Sequence, residues 1–360
     1  MDFGLSFLPD VNDKKCPAPD YFKNAITLSK FADTVGFKTI KMTEHYFQDY
    51  GGYCPSPLIF LASIASITKK IRLMTGCILP AFHHPIQIAA ETALLDAISQ
   101  GRLDVGFARA YLPYEFSALG VDINTSRDRY EKTIETVKKL WTEKNVSAKT
   151  DFFTFSDVNS LPIPTQKPHP PIWGAAVNSR QTFAWLGEKS CGLLVTPPIT
   201  MIEDLVEKLE IYRESFIPDE TIQKPTVAIS LPLLIRNNQK EAEEEGDVYL
   251  SEYIRVWAKA ADSWNTLSST NYPGYTGLSY ALRQNTPKKM RDTMQAMIGT
   301  PDFIAEKIQT LSRLTRVDQI LWQIDFGGKP LKSAMNTLNL FVSNVLPLIN
   351  KESSYEKAHF

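Results

Sequence analysis

Residues 71–108, IRLMTGCILPAFHHPIQIAAETALLDAISQGRLDVGFA, decide the fold class. Short apolar runs at 71–78 and 102–108 predict two β-strands, and the longer segment 85–99 between them has the pattern of a helix. A strand, a helix and a second strand in this order are typical of a βα repeat, in which consecutive strands lie parallel in one sheet.

The same alternation continues along most of the chain. Further strands are predicted at 3–8, 39–42, 172–176, 192–195, 226–235 and 318–324. Eight strands in regular alternation with helices favour a closed (β/α)8 TIM barrel, an α/β fold, although a doubly wound open sheet also fits the rhythm. We expect a single domain over residues 1–350 and a disordered tail at 351–360.

The connection between the seventh and eighth predicted strands, residues 236–317, is unusually long. It contains a polar and aromatic segment at 263–287, and a long irregular stretch inside a compact domain is usually either functional or disordered. In a barrel this connection lies on the face where active sites form. Two interpretations of 263–287 stay open, a mobile lid over the site and an ordered insertion.

The composition argues against several classes of function. Lys and Arg number 39 against 40 Asp and Glu, a net charge of −1, which does not favour nucleic acid or an anionic membrane. No apolar stretch approaches the ~18 residues of a membrane helix, and the N-terminus lacks the basic region of a signal peptide. The four cysteines are far apart and form no Cys-x-x-Cys pair, which indicates no zinc site and no disulfide framework. We therefore expect a reduced, cytoplasmic protein without a metal site.

A charged and aromatic run, Thr43 to Phe47, follows the second predicted strand. The carboxyl ends of barrel strands are where catalytic groups lie. Histidine as a residue type exchanges protons near neutral pH, so His45 could move a proton to or from a bound oxygen species; the alternative is a satisfied surface histidine. His83 and His84 are adjacent and cannot both point at one metal, so we expect them to cap a helix or to contact a second subunit.

Residues suited to a flat ligand with a phosphate group follow three other strands. Gly76 allows such a ligand to approach the backbone closely. Arg109 could hold a phosphate by charge-assisted hydrogen bonds, and either Arg127 or Arg129 could add a second guanidinium. The start of the next helix could bind an anion through its free N–H groups, and the residues there are Val177, Asn178 and Ser179. The alternatives are a salt bridge for Arg109 and an ordinary helix cap at 177–179.

Taken together, these segments resemble the bacterial-luciferase-like family of flavin monooxygenases. The resemblance runs in order and spacing from Met1 to Pro301 and is densest over residues 36–127. The segments that carry it are GF at 36–37, EHYF at 44–47, PSPL at 55–58, LPAFHHP at 79–85, LD at 95–96, SQGR at 99–102, GFAR at 106–109 and PHPPIW at 168–173.

The resemblance implies a TIM barrel that binds FMN at the carboxyl ends of its strands. It identifies His45 as the active-site histidine, with Glu44 beside it. It also implies that Arg109 and Arg127 grip the FMN phosphate, with help from the helix start at 177–179.

The resemblance further implies a cis peptide beside the flavin ring, at the bond Thr75–Gly76. Three positions depart from the family. Its second histidine is Tyr46 here, a cysteine near the flavin is Ala108, and a glutamate at the phosphate loop is Val177. These departures argue against light emission from an aldehyde.

We therefore expect an FMN-dependent monooxygenase. Reduced FMN, delivered by a separate flavin reductase, would react with O2 to give a C4a-(hydro)peroxyflavin that oxygenates a small organic substrate. Two alternatives stay open: an oxidoreductase of the same fold that uses the deazaflavin F420, and a non-catalytic flavin-binding partner subunit. Many small residues in helices 57–69 and 85–99 predict a homodimer, the alternative being ordinary packing against the barrel wall.

Overall fold

The computed structural model describes residues 1–196 and 202–350. Its strands are β1 (Asp2–Phe7), β2 (Thr39–Met42), β3 (Arg72–Thr75), β4 (Leu103–Phe107), β5 (Val146–Lys149), β6 (Thr154–Val158), β7 (Ile172–Ala176), β8 (Gly192–Val195), β9 (Val227–Ile235), β10 (Met297–Gly299) and β11 (Gln319–Gln323). Its α-helices are α1 (Ala18–Thr34), α2 (Pro57–Ile67), α3 (Pro85–Ile98), α4 (Pro113–Ala118), α5 (Ser126–Thr142), α6 (Arg180–Glu188), α7 (Ile202–Glu214), α8 (Gln239–Ala261), α9 (Leu278–Arg283), α10 (Pro287–Asp292), α11 (Pro301–Thr315) and α12 (Leu331–Leu340).

Within this part of the chain, eight parallel strands close into a barrel. Their order is β1, β2, β3, β4, β7, β8, β9 and β11, and β11 pairs back onto β1. The prediction of a (β/α)8 barrel is confirmed, and the open-sheet alternative is wrong. The short strands β5 and β6 form a separate antiparallel hairpin in the connection before β7.

The interior of the barrel changes from apolar to polar toward the carboxyl ends of the strands. An apolar cluster fills its lower part and consists of Met74, Cys77, Trp173, Leu194, Ala228 and Leu321. Successive side chains of a strand point to opposite faces, so residues two apart share the interior. Two residues beyond Ala228 and Leu321, the polar residues Ser230 and Gln323 line a cavity at the barrel mouth. Polar side chains also occur at the opposite end of the barrel, where Gln319 donates to the hydroxyl of Thr39 at 2.7 Å.

The connection between β9 and β11 is largely helical and contains α8 to α11. It also contains β10, which was not predicted; its three residues are too few to show a strand period, and they pair with Leu233–Ile235 of β9. The segment 263–287 combines short 3-10 turns with helix α9 and lies beside the barrel mouth.

The third barrel strand ends at Thr75, earlier than predicted. The Thr75 hydroxyl group forms two hydrogen bonds to Gly106 of β4. Oγ1 donates to the carbonyl of Gly106 at 2.9 Å and accepts the Gly106 N–H at 2.8 Å. These bonds keep Thr75 in the strand, and the chain turns after it. The expected cis bond at Thr75–Gly76 is therefore wrong; the cis peptide joins Gly76 and Cys77.

In residues 1–196 and 202–350, no helix is long and apolar enough to cross a membrane. The tail predicted at 351–360 lies outside the described residues.

Candidate active site

A cavity of about 490 Å³ opens at the carboxyl ends of the barrel strands. It is lined by residues of the barrel interior, of the loops after the strands and of segment 263–287. Eight of the site residues predicted from the sequence line it, namely Glu44, His45, Gly76, Arg109, Arg127, Val177, Asn178 and Ser179. Thr75, the ninth, does not, because its side chain is turned toward β4.

His45 is held in place by a buried carboxylate from helix α4. Its Nδ1 lies 3.1 Å from Oε1 of Glu115, and the same oxygen accepts the backbone N–H of Tyr46 at 2.9 Å. Because Glu115 acts as the acceptor, Nδ1 carries the hydrogen, and Nε2 of the neutral ring keeps its lone pair. Nε2 bonds to none of the described residues, so His45 can exchange a proton with a bound molecule.

Glu44 has a different role from its neighbour. Its Oε1 accepts a hydrogen bond from the Tyr46 hydroxyl at 2.8 Å and lies 2.7 Å from Nε2 of His83. Its Oε2 accepts the Leu79 N–H at 3.3 Å. Burial lowers the pKa of His83, but the hydrogen bond and the charge of Glu44 outweigh it and raise that pKa above its usual value. Glu44 thus anchors the loop after β3 at the edge of the cavity.

Two guanidinium groups and a helix start converge at one end of the cavity. Arg127 donates from Nη2 to Oγ of Ser179 at 3.3 Å. Ser179 caps helix α6 by accepting the N–H of Thr182 at 3.4 Å, so the positive end of the helix dipole points at the same place. Nε of Arg109 is buried and has no hydrogen-bond partner in the part of the chain that the structure describes. This end suits a phosphate, because it offers positive charge and an unused donor.

Arg109 also connects the barrel to segment 263–287. Its Nη2 donates to the carbonyl of Asn271 at 2.9 Å, and its guanidinium lies 4.5 Å from the centre of the Tyr272 ring. The Tyr272 hydroxyl bonds to Oγ of Ser126 at 2.8 Å and to the carbonyl of Ala110. These contacts fix segment 263–287 over the anion-binding end.

The two remaining residues of the predicted anion loop are placed less directly. Asn178 lines the cavity, and its side-chain oxygen accepts a hydrogen bond from Nζ of Lys208 at 3.3 Å. Val177 lines the cavity with an apolar side chain.

Gly76 lines the cavity, and the absence of a side chain on it makes room for the stem of Lys41. A Cβ atom on Gly76 would lie 2.3 Å from Cγ of Lys41, so only glycine fits against this lysine stem. Ser6 and Lys41 line the floor from β1 and β2. The combination of a bare backbone edge with a phosphate end fits a flavin mononucleotide.

The opposite wall of the cavity is aromatic. Tyr50 and Trp257 stack with ring centres 5.7 Å apart, and Nε1 of Trp257 donates to the hydroxyl of Tyr111 at 3.0 Å. The ring centres of Tyr253 and Trp257 are 5.8 Å apart, and those of Tyr275 and Tyr111 are 6.0 Å apart. Burial raises the pKa of Tyr50, Tyr111 and Tyr253, so these phenols stay neutral.

The aromatic wall, Glu115 and Lys41 were missed by the sequence analysis. Tyr253 and Trp257 belong to α8, far along the chain from His45, and no local pattern links them. Lys41 had a signal, because a lysine in a strand otherwise rich in apolar residues is unusual. Glu115 had a weaker one, as an acidic residue in the first turn of a short helix.

Among the described residues, no group of His, Cys, Asp and Glu could hold a metal ion. His84 caps helix α3, because its Nδ1 accepts the N–H of Ile86 at 3.3 Å. A helix cap was one of the two roles predicted for it.

The family model described as luciferase-like monooxygenase matches residues 1–319. The chain belongs to this family. It is 27% identical over 352 residues to the oxygenase component of the flavin-dependent trigonelline monooxygenase of Acinetobacter baylyi, covering 94% of this chain and 92% of that protein.

Solved structures of monooxygenases have the same fold as this luciferase-like chain. RslO1 from Streptomyces bottropensis superposes with a TM-score of 0.83 and 32% identity, over 96% of this chain and 99% of that one. The oxygenating constituent of 3,6-diketocamphane monooxygenase from Pseudomonas putida, in complex with FMN, has a TM-score of 0.76 and 20% identity, over 97% and 98%. Enzymes that depend on F420 also share the fold, at 19% and 15% identity.

Proposed function

We propose that this chain is the oxygenase of a two-component monooxygenase that uses reduced FMN and O2. The observation that carries the proposal is that one cavity joins a double-guanidinium phosphate end, the bare edge of Gly76 and the free Nε2 of His45. Membership of the luciferase-like family supports monooxygenase chemistry. The relative named as an oxygenase component supports a separate reductase, and the FMN complex of the diketocamphane enzyme supports FMN.

In this proposal Arg127, Arg109 and Ser179 hold the FMN phosphate, and Gly76 lies against the flavin ring. Bound there, reduced FMN would supply the electrons that activate O2. His45 holds or moves a proton at Nε2, while Glu115 keeps its ring in one orientation and tautomer.

Water has to be excluded from such a site, because it promotes the loss of activated oxygen as peroxide. Segment 263–287 is placed to do this, since Asn271 and Tyr272 cover the anion-binding end. We propose that the segment closes as a lid after FMN has entered.

The aromatic wall indicates the substrate side of the cavity. Its rings offer flat, apolar faces with phenol and indole groups that are already engaged with one another. Such a wall favours a planar organic substrate that stacks on Tyr50 or Tyr111, close to His45. The name of the Acinetobacter relative gives trigonelline as its substrate. Trigonelline is a small ring compound, which supports this substrate class.

The decisive experiment mixes the protein anaerobically with reduced FMN, then with O2, and follows the flavin absorbance by stopped flow. The proposal expects oxidation much slower than in buffer, through a transient species unlike either reduced or oxidised FMN. Oxidation at the rate of free FMN, together with tight binding of F420 in a parallel titration, would favour the F420-dependent alternative. Stabilised flavin without product from a panel of ring compounds would favour the non-catalytic subunit.

We also propose that the chain forms a homodimer through α2 and α3. Both helices expose large apolar side chains, and the neighbouring loop at 159–166 adds two more: Ile59, Ile67, Leu94, Ile98, Leu161 and Ile163. Gln166 ties that loop to α3 through two hydrogen bonds to Asp96, so the exposed residues form one surface. Of the small residues, Ala65, Ala89 and Ala93 are buried against the barrel, whereas Ser63, Ser66 and Ala97 remain exposed.

Sedimentation velocity at micromolar concentration tests the dimer. A dimer in the wild type that Leu94→Glu converts to a monomer supports this surface. A wild-type monomer contradicts the proposal.

A further inference from the structure

Lys41 is a buried cation that the proposed chemistry has not used. It is the third residue of β2, its side chain enters the barrel, and only 7% of its surface is exposed. Nζ donates to Oγ of Ser6 at 3.1 Å. Among the described residues, no carboxylate lies within 4.0 Å of it.

Cys77 and Asp325 act electrostatically on Lys41, but among the described residues no carboxylate forms an ion pair with it. Burial raises the pKa of the Cys77 thiol to about 12, so this group stays neutral. Burial also raises the pKa of Asp325, to about 6, and its carboxylate is engaged by the Tyr21 hydroxyl at 2.6 Å. Burial lowers the pKa of Lys41, although Cys77 and Asp325 oppose this.

A buried ammonium without a counter-ion destabilises the folded chain, unless a bound group supplies the missing charge. Lys41 lines the cavity, and its stem fills the space that a side chain on Gly76 would take. An anionic group in a ligand bound over Gly76 would therefore lie near Nζ and would restore the full charge of the lysine.

We propose that Lys41 is the counter-charge for an anionic group bound over Gly76, and that this group is the ring of reduced FMN. Reduced flavin carries negative charge on its ring when it holds one proton fewer than the neutral form, whereas the oxidised ring is neutral. Lys41 therefore binds the reduced form more tightly than the oxidised form. This inference rests on the proposed function and explains how the oxygenase selects reduced FMN from its reductase.

The test compares the dissociation constants of reduced and oxidised FMN, measured anaerobically, for the wild type and Lys41→Met. We expect at least a tenfold weaker binding of reduced FMN in the variant and little change for oxidised FMN. A tenfold change in this ratio lowers the midpoint potential of bound FMN by about 30 mV, which spectroelectrochemistry measures independently. Lys38→Met removes an exposed positive charge just before β2 and should change neither quantity.

Several outcomes would overturn the inference. An equal weakening of both FMN forms, or no change in either, means that Lys41 does not sense the charge of the ring. Benzoate serves as a probe for a substrate that carries a carboxylate. If Lys41→Met weakens the binding of benzoate but not that of reduced FMN, the anion that pairs with Lys41 is a substrate carboxylate and not the flavin. If the wild type binds neither form of FMN, the proposed function is rejected and this inference with it. If the wild type and Lys41→Met both prefer reduced FMN to the same extent, only the inference is rejected. Melting curves of the variant without FMN check its folding, and we expect no loss of stability, because methionine removes a buried charge.

Discussion

Nδ1 of His45 lies 3.1 Å from Oε1 of Glu115, a fully buried carboxylate seventy positions further along the chain. The other oxygen of Glu115 has no hydrogen-bond partner among the described residues. A carboxylate in this position acts on the reaction through the histidine, because it determines which ring nitrogen carries the hydrogen. Glu115 is thus a positioning residue.

Glu115→Gln should lower the rate of product formation about tenfold or more, since an amide can face His45 with either its oxygen or its nitrogen. FMN affinity and melting temperature should change little. In a His45→Ala background the same substitution should have no further effect, because residues that act as a unit are not additive. Additive losses in the double variant would contradict the positioning role. Glu143→Gln, at the exposed end of α5, is the matched control.

His45→Ala should reduce product formation by about a hundredfold or more, the usual contribution of a proton-transferring side chain. FMN binding should remain nearly intact, because the phosphate end does not include His45. Steady-state product assays and FMN titrations measure the two effects. His84→Ala, which alters the cap of α3 and ring contacts with Phe153 and Phe155 outside the cavity, should leave the rate unchanged. Unchanged turnover in His45→Ala would remove this residue from the mechanism.

Arg127→Met should weaken FMN binding by about ten- to a hundredfold, because a hydrogen bond to a charged group is worth about 1.5–3 kcal/mol. Riboflavin lacks the phosphate, so its affinity should not change. Arg129→Met is the control, since that guanidinium bonds to Thr125 and stacks on Phe152 outside the cavity. Equal losses for FMN and riboflavin would place the phosphate elsewhere.

Tyr272→Phe should loosen segment 263–287 by removing the hydroxyl that bonds to Ser126 and Ala110, a loss of roughly 1 kcal/mol. Water would then reach the site more often, so less product and more hydrogen peroxide should form for each FMN oxidised. The ratio of product to peroxide measures this effect. Tyr280→Phe, which alters an exposed ring of α9, should leave the ratio unchanged. An unaltered ratio in Tyr272→Phe would argue against a lid.

Asp10 should make the free energy of unfolding depend on pH. Burial, with a contribution from Asp325, raises the pKa of Asp10 from 3.8 to about 8, against the backbone N–H groups of Gly327 and Gly328. Between these values the folded chain holds a proton that the unfolded chain has lost. The contribution of Asp10 is therefore present at low pH and is lost as pH rises toward 8, by roughly 1.4 kcal/mol per pH unit.

Asp10→Asn removes this titration, so the stability of the wild type relative to the variant should fall between pH 5 and pH 8. Denaturant unfolding at the two pH values measures it. Asp302→Asn, at an exposed site, should follow the wild type. A constant difference between wild type and Asp10→Asn would show that Asp10 is already ionised in the folded chain.

The sequence by itself determined the barrel, because its evidence is local. Each strand and helix is a short run of apolar residues with a characteristic period, and eight alternations leave few closed arrangements. Parallel strands of a barrel all end at the same face, so the positions of His45, Gly76 and Arg109 at strand ends predicted that they would meet. The cavity brings these three together.

Only the tertiary structure decided what surrounds them. Glu115 reaches His45 from a short helix, and Tyr253 and Trp257 reach the cavity from the long connection before β11. The cis bond lies one position further along the chain than expected, and the exposure of Lys41 to the cavity depended on the register of β2. Contacts between residues distant in the chain follow from packing and from side-chain direction, and a one-residue change of register reverses which side chains face the interior.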